Sequence, residues 1–209
     1  MKKSLFIFSV LFLMVAGLFA QEGIYLKPNA SGAIITENTD TRLVFQSDIS
    51  IIPLQEVKTK DGIYSRIYLP GYTPNTDYGM PELPNLNRII EVPYGAKIAV
   101  NIVAYNEQVI SLDEYGFQYQ LMPCQPSVFK NQDPSQLVFY KDENTYNGVS
   151  AYSPETVSVT LLSKMRGVQL ARLSINPFTY DAQSNTLIVK NDIVVEIRFE
   201  NADLTAYNE

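Results

Sequence analysis

The sequence feature that most constrains the fold is a two-residue alternation of apolar and polar side chains in many short segments. The clearest example is residues 193–199, IVVEIRF, in which the apolar side chains at odd positions would share one face of a strand. Val194, Glu196 and Arg198 would then lie on the opposite face. Because the preceding Asn191-Asp192 favours a tight turn, we predict that Thr186–Lys190 pairs with this strand as a hairpin.

Candidate strands recur roughly every ten residues, and no stretch beyond residue 20 has convincing helical periodicity. Ile49–Val57 and Ile63–Leu69 flank Asp61-Gly62, a pair that tolerates positive φ and favours a hairpin turn. Lys97–Tyr105 alternates as a half-buried strand does, and we predict that Gln108–Leu112 returns beside it. These segments together predict an all-β fold, an antiparallel β-sandwich or jelly roll.

Prolines interrupt this pattern between Gly71 and Tyr94. A proline cannot donate to the interior of a sheet ladder, and this stretch contains four of them. We therefore predict a long ordered loop or sheet edge in which Arg88–Val92 is the only strand.

The first twenty residues have the pattern of a secretory signal peptide. Met1, Lys2 and Lys3 precede an apolar run that ends in Gly17, Leu18, Phe19 and Ala20, and cleavage is expected between Ala20 and Gln21, although Leu18 is larger than the usual small residue at its position. An uncleaved membrane anchor is the alternative, although the run is short for a span of about 20 apolar residues. We expect residues 1–20 to be the signal peptide and 21–209 a single β-sandwich domain. The domain would be exported to the periplasm, cell surface or extracellular space, without stable membrane insertion.

The composition argues against several classes of function. The chain has no histidine and a single cysteine, Cys124, so Ser-His, Cys-His and His-ligated metal chemistry are excluded. Removing residues 1–20 lowers Lys+Arg from 16 to 14 against 22 Asp+Glu, which gives a formal charge of −8. Such an acidic chain is a poor candidate for binding nucleic acid. We predict no catalytic residue, no metal and no cofactor.

The remaining polar residues allow weaker interpretations. The carboxylate pairs Asp113-Glu114 and Asp142-Glu143 are interpreted as solvated charge, because adjacent residues on a strand point to opposite faces. We interpret most of the 14 tyrosines as residues of the sheet surface, whose rings pack against their neighbours while their hydroxyls remain exposed to solvent. They also leave open an alternative function, a secreted adhesion or carbohydrate-binding module.

The segment from Pro123 to Pro134, PCQPSVFKNQDP, begins and ends with proline. It has one basic residue, Lys130, near the tip of the predicted loop. Proline fixes φ and biases the preceding residue toward extended geometry, so a stiff, extended loop is predicted. That is the shape of a peptide bound in a protease cleft. Lys130 could fill the pocket of a peptidase that cuts after basic residues. The alternative is an ordinary solvated loop lysine.

Three motifs together resemble the N-terminal propeptide of the gingipain family (family C25) of cysteine peptidases. The first is the pattern G-x-P-x-L-P. The third is the run R-G…P-x-x-Y-N-P…L, in which Asp181 and Ala182 replace the Asn-Pro of the family. The second motif is a basic residue seven positions after one proline and four before another, as in Pro123, Lys130 and Pro134. The residues that carry the first and third motifs are Gly79, Pro81, Leu83, Pro84, Arg166, Gly167, Pro177 and Tyr180.

The resemblance implies a non-catalytic prodomain that covers the active site of a gingipain-like cysteine peptidase and aids its folding. It also implies that Lys130 enters the S1 pocket, flanked in the inhibitory loop by Val128, Phe129 and Asn131. A lysine here hints at a lysine-preferring target, although such pockets often accept arginine too. No peptidase domain follows in this sequence. The chain is therefore expected to be a free-standing inhibitor, a truncated precursor or an incomplete sequence, acting in cis or in trans.

Overall fold

The computed structural model describes residues 23–28, 32–133, 137–165 and 168–203. Within these ranges it has twelve β-strands, one helix of four residues and one 3-10 turn. The strands are Gly23–Tyr25 (β1), Ala33–Asn38 (β2), Arg42–Ser47 (β3), Ile51–Thr59 (β4), Gly62–Ile67 (β5), Thr73–Pro74 (β6), Pro84–Val92 (β7), Lys97–Ser111 (β8), Val157–Met165 (β9), Val168–Ile175 (β10), Phe178–Asp181 (β11) and Thr186–Glu200 (β12). The helix is Glu143–Tyr146 (α1), and the 3-10 turn is Asp113–Tyr115. The predicted signal peptide with its cleavage site Ala20-Gln21, Pro134 and Arg166-Gly167 all lie outside the described residues.

The strands form three sheets in the described part of the chain, and all their pairings are antiparallel. The largest is built on β12. Strand β8 pairs along the whole length of β12 on one side, β11 and β3 pair with successive halves of its other side, and β2 lies outside β3. The second sheet has the order β6-β7-β10-β9 and the third β1-β4-β5. The predicted all-β antiparallel class is confirmed.

Two apolar clusters form the core. One lies between the sheet of β3 and β12 and the sheet of β7, β9 and β10, so these two sheets pack face to face as a sandwich. The other lies between β4, β5 and β11 and the first half of β12, and Tyr72 packs against both clusters. Burial of each large apolar side chain contributes about 1.5–3 kcal/mol. The sandwich cluster comprises Leu43, Phe45, Leu86, Ile90, Val92, Val157, Ala171, Leu173, Ile175, Ile193, Val195, Ile197 and Phe199.

The predicted hairpin at Asn191-Asp192 is wrong, because Thr186–Glu200 is one continuous strand. The register of β12 against β8 shifts here, so that a β-bulge stands where the turn was predicted, and Asp192 has a φ of 51°. The Asn191 side chain is buried. It accepts a hydrogen bond from the Ile49 amide (2.8 Å) and donates one to the Ile49 carbonyl (2.8 Å). The chain therefore extends through the bulge with its polar groups satisfied.

Two further predictions on strands are corrected. Residues 108–112 do not return beside Lys97–Tyr105, because β8 runs straight on to Ser111 along β12. Strand β7 begins at Pro84 rather than Arg88, and Pro84 lies opposite Pro74 of the short strand β6. Both prolines thus occupy a strand start or an edge, where a missing amide hydrogen is tolerated.

The hairpin predicted around Asp61-Gly62 is confirmed, but its turn lies one residue earlier. Thr59 pairs with Gly62, which places Lys60-Asp61 in the two-residue turn. Gly62 has a φ of 139°, a backbone conformation that residues other than glycine rarely adopt. In the ranges described above, no helix has the length and apolarity that a bilayer span requires.

Candidate functional site

The candidate site is the loop of residues 125–140, called the finger below, of which 134–136 are not described. Its base, Pro123-Cys124, is hydrogen-bonded to the Gly79–Pro84 motif. The Cys124 amide donates to the Met80 carbonyl (2.7 Å), and the Cys124 carbonyl accepts from the Gly79 amide (2.9 Å). On the other side of the finger, the Asp142 amide donates to the Gly79 carbonyl (2.9 Å). Gly79 therefore joins the segment that enters the finger to the one that leaves it.

The backbone at Gly79 predicts a large cost for a side chain. Its φ is +86°, and an added Cβ would lie 3.2 Å from the Asp142 amide nitrogen. We expect Gly79→Ala to lower the free energy of unfolding in urea by about 2 kcal/mol. Gly71→Ala is the matched control, because Gly71 has a φ of +81° with nothing within 4 Å of its Cβ position. It should cost about 1 kcal/mol. Equal losses would contradict a tight crossing at Gly79.

A side-chain amide closes the neck of the finger. Gln125 Nε2 donates to the Tyr140 carbonyl (2.7 Å) and to the Pro123 carbonyl (3.0 Å), and Gln125 Oε1 accepts from the Tyr140 amide (2.9 Å). The Gln125 side chain thus bonds to both the amide and the carbonyl of Tyr140, as the backbone of a neighbouring strand would. Next to it, the Phe139 ring stacks on Tyr64 with 5.7 Å between ring centroids. These contacts hold the two ends of the finger together and against the body of the domain.

The tip of the finger is a hydrogen-bonded turn rather than the extended segment expected from its prolines. The Gln132 amide donates to the Phe129 carbonyl (3.0 Å), and Gln132 Oε1 accepts from the Phe129 amide (3.0 Å). Lys130 and Asn131 occupy the middle of this turn and are exposed. Because Gln132 bonds to both the amide and the carbonyl of Phe129, these contacts close the turn around Lys130 and Asn131.

The structure divides the loop residues singled out from the sequence into two groups. Pro123 is buried at the base, where it bridges to Pro81. Val128, Phe129, Lys130 and Asn131 are exposed in the outer part. The finger is therefore anchored at its base by the Gly79–Pro84 motif and offers its tip to solvent.

Tyr180 of the third motif also supports the segment that leads into the finger. Its ring is fully buried, and its hydroxyl donates to Asn185 Oδ1 (2.7 Å) while accepting from the Leu121 amide (3.1 Å). Burial raises the pKa of this phenol well above its usual range. The hydroxyl therefore stays protonated and keeps its donor role. Pro177, from the same motif, accepts a hydrogen bond from the Lys190 amide (2.8 Å), which ties β12 to the start of β11.

Two supporting residues were not anticipated from the sequence. Asn75 is buried and donates to the Pro81 carbonyl (3.1 Å) while accepting from the Leu83 amide (3.2 Å), so it satisfies backbone groups of the proline-rich motif. The signal that could have found Asn75 is its position between Pro74 and Pro81, where buried backbone groups lack a ladder partner. Asp142 caps helix α1 by accepting from the Thr145 amide (2.8 Å), which lowers the pKa of its carboxyl. Its interpretation as simple solvated charge is therefore incomplete.

Cys124 lies buried in the base of the finger. Its Sγ donates to the Asn75 carbonyl (3.0 Å), and burial, aided by the charges of Glu82 and Asp77, raises the pKa of the thiol to about 11. The thiolate is the nucleophilic form, so this side chain is unreactive near neutral pH. Its environment is that of a structural cysteine.

The buried thiol predicts slow alkylation in the folded chain. At about pH 8 we expect iodoacetamide to modify Cys124 at least about a hundredfold more slowly in buffer than in guanidinium chloride, because the thiol is both inaccessible and protonated when folded. Mass spectrometry of quenched time points measures both rates. Similar rates would show that the base of the finger opens readily.

The fold and this site define a class of protein, an all-β domain that presents an exposed loop with a single lysine near its tip. The family model Propeptide_C25 matches residues 27–209. The chain therefore belongs to the C25 family of propeptides, the non-catalytic prodomains of gingipain-type cysteine peptidases. The family resemblance seen in the sequence is confirmed.

The similar proteins agree with this assignment. Lys-gingipain of Porphyromonas gingivalis (strain ATCC 33277) is 35% identical over 195 residues, which cover 93% of this chain and 11% of that protein. Lys-gingipain W83 of the same species matches equally well. The chain thus spans about a tenth of the length of the curated relatives that it matches.

Two solved structures share the fold. One, from work on the zymogenic latency of gingipain K from Porphyromonas gingivalis, has a TM-score of 0.80 and 34% identity, covering 86% of this chain and 98% of that one. The other, from the complex of Porphyromonas gingivalis RgpB pro- and mature domains, has a TM-score of 0.69 and 16% identity, covering 83% of this chain and 87% of that one. The sandwich predicted from the sequence is therefore the fold of a gingipain prodomain.

Proposed function

We propose that this chain is an exported prodomain that keeps a gingipain-like cysteine endopeptidase inactive by placing Lys130 in its S1 pocket, and that it also assists the folding of that peptidase. The observation that carries the proposal is the position of Lys130. Its side chain is exposed in a turn whose flanking backbone is bound by Gln132, on a finger whose neck is closed by Gln125. The partner is proposed from the family, from the gingipain K zymogen and from the RgpB complex of pro- and mature domains.

The physical basis of inhibition would be a charge-assisted contact made by a loop that is already in shape. An ammonium group facing a carboxylate in a water-excluded pocket forms a strong, directional hydrogen bond. Because Gln125 bonds across the neck of the finger and Gln132 closes the turn at its tip, less conformational entropy would be lost on binding. If the prodomain is covalently linked to the peptidase, the local concentration of the finger is on the order of millimolar, so modest intrinsic affinity suffices.

The inhibitory role is tested by titrating a lysine-specific cysteine peptidase with residues 21–209. We expect inhibition that is competitive with a small lysyl substrate and saturates at one chain per active site. Lys-gingipain is a suitable target, since its own sequence contains the matching segment. Full peptidase activity at saturating concentrations of the folded chain would reject the inhibitory role.

The folding role needs a separate experiment. A denatured peptidase domain is refolded by dilution with and without residues 21–209, and the recovered activity is measured after the prodomain has been removed. We expect a higher yield with the prodomain, and the same yield with Lys130→Ala, because the sheets rather than the tip would template folding. An identical yield without any prodomain would reject this part of the proposal.

Export is tested by the mass of the protein from a secreting host. Cleavage after Ala20 would give a chain that begins at Gln21. A full-length chain retained in the cells would contradict the proposed signal peptide.

A further inference from the structure

Phe129, the residue immediately before Lys130, leaves a large apolar ring in water. Its side chain is 74% exposed. Single exposed apolar residues are common on protein surfaces and need no special explanation. Here, however, the backbone of Phe129 is bound at both its amide and its carbonyl by Gln132. The ring therefore projects from a fixed point beside the lysine.

A groove between the finger and the β4–β5 turn, with a mixed polar and apolar lining, does not contain this ring. The groove has a volume of about 500 Å³, and its lining includes Val128, Leu137, Val138 and Phe139, but not Phe129. The Phe129 ring thus remains in solvent although apolar surface lies one residue away, at Val128. Aromatic side chains, phenylalanine included, are enriched at protein interfaces, so an exposed ring beside the proposed anchor Lys130 is a candidate contact.

We propose that Phe129 is a second anchor of the finger, which fills an apolar subsite adjacent to the pocket that receives Lys130. This inference rests on the proposed inhibitory function and extends it to the specificity of the partner. The finger mimics a substrate, so the peptidase it inhibits prefers substrates with a large apolar residue next to the lysine at the cleavage site. Phe129 supplies buried apolar area, and Lys130 supplies the charge.

The first experiment compares the inhibition constants of Phe129→Ala, Phe129→Leu and the unchanged chain. We expect Phe129→Ala to weaken inhibition at least about tenfold and Phe129→Leu to retain most of it, with unchanged melting temperatures because the ring is exposed. Ile89→Ala is the matched control, since Ile89 is also exposed (57%) but lies on β7 rather than the finger. It should change the constant less than about twofold. An unchanged inhibition constant for Phe129→Ala would overturn the inference.

Lys130→Ala, measured in the same assay, separates this inference from the proposed function. If Lys130→Ala abolishes inhibition while Phe129→Ala does not weaken it, the second anchor is rejected and the inhibitory lysine stands. If Lys130→Ala has no effect, the proposed function itself fails.

The second experiment measures the substrate preference of the inhibited peptidase directly. Peptides with lysine at the cleavage site carry Phe, Ala or Asp immediately before it, or Phe immediately after it. We expect one of the two Phe positions to raise kcat/KM at least about tenfold over Ala, and Asp to lower it. Equal kcat/KM values for all four peptides would overturn the proposed substrate class.

Discussion

Replacing Lys130 with alanine is expected to weaken inhibition of a lysine-specific cysteine peptidase by roughly thirtyfold or more, equivalent to about 2 kcal/mol. If Lys130 occupies the S1 pocket as proposed, the variant would leave a carboxylate of that pocket without its partner, and loss of a partner in a buried pair costs more than loss of a surface contact. Because Lys130 is exposed in the free chain, folding should not change. Inhibition constants and thermal melting of both chains measure the two effects separately.

The control for this variant is Lys141→Ala. Lys141 lies just beyond the finger, with its Nζ 5.0 Å from the centroid of the Tyr146 ring, and its removal changes the net charge by the same amount. We expect it to weaken inhibition less than about threefold, mostly through slower association that added salt would mask. Equal losses for the two variants would show that overall charge, rather than an occupied pocket, accounts for binding.

Replacing Asn191 with alanine is expected to lower the free energy of unfolding by about 3 kcal/mol. The Asn191 side chain is 4% exposed, and both of its polar atoms bond to Ile49, whose amide and carbonyl would be left without these partners. For a chain of this size such a loss lowers the melting temperature by roughly 6–12 °C. Denaturant unfolding and calorimetry measure it.

Asn106→Ala is the matched control for the bulge. Asn106 lies opposite Asn191 on β8, and its exposed side chain donates one hydrogen bond to Asp192 (2.9 Å). Its replacement should cost less than about 1 kcal/mol, since the hydrogen-bonding groups left behind can bond to water. If both variants lost the same stability, the bulge would not depend on the buried amide.

The sequence of β12 carries two conflicting signals, a pair of turn-forming residues and an apolar alternation that runs through them. Asn and Asp favour turns, whereas the apolar alternation on both sides of Asn191-Asp192 favours a continuous strand. Leu187, Val189, Ile193 and Val195 are all buried at odd positions, and Asn191 continues that series without a break. An unbroken phase predicts one long strand, whereas the turn residues predict a reversal. Long-range pairing with Ile49, which no local pattern reveals, decides between them.

The finger could be located from the sequence, but its internal structure could not. Proline spacing and the family motifs pointed to the loop around Lys130. The side-chain hydrogen bonds of Gln125 and Gln132 follow no periodic sequence pattern. Such bonds in loops depend on the distance that the fold sets between two segments. The hydrogen bonds of Asn75 to Pro81 and Leu83 likewise follow no periodic pattern. Period and turn chemistry thus predict the sheets, while the polar contacts that hold the loop need the tertiary structure.

The most direct test of the central claim is the affinity of the folded chain for a peptidase whose S1 pocket is already filled. The active site is blocked with a covalent lysyl affinity label, and binding of residues 21–209 to the blocked and unblocked enzymes is measured by calorimetry. If Lys130 occupies the pocket, blocking should weaken binding at least about thirtyfold, and Lys130→Ala should bind both forms with similar, weak affinity. Equal affinity of the unchanged chain for both forms would contradict the account.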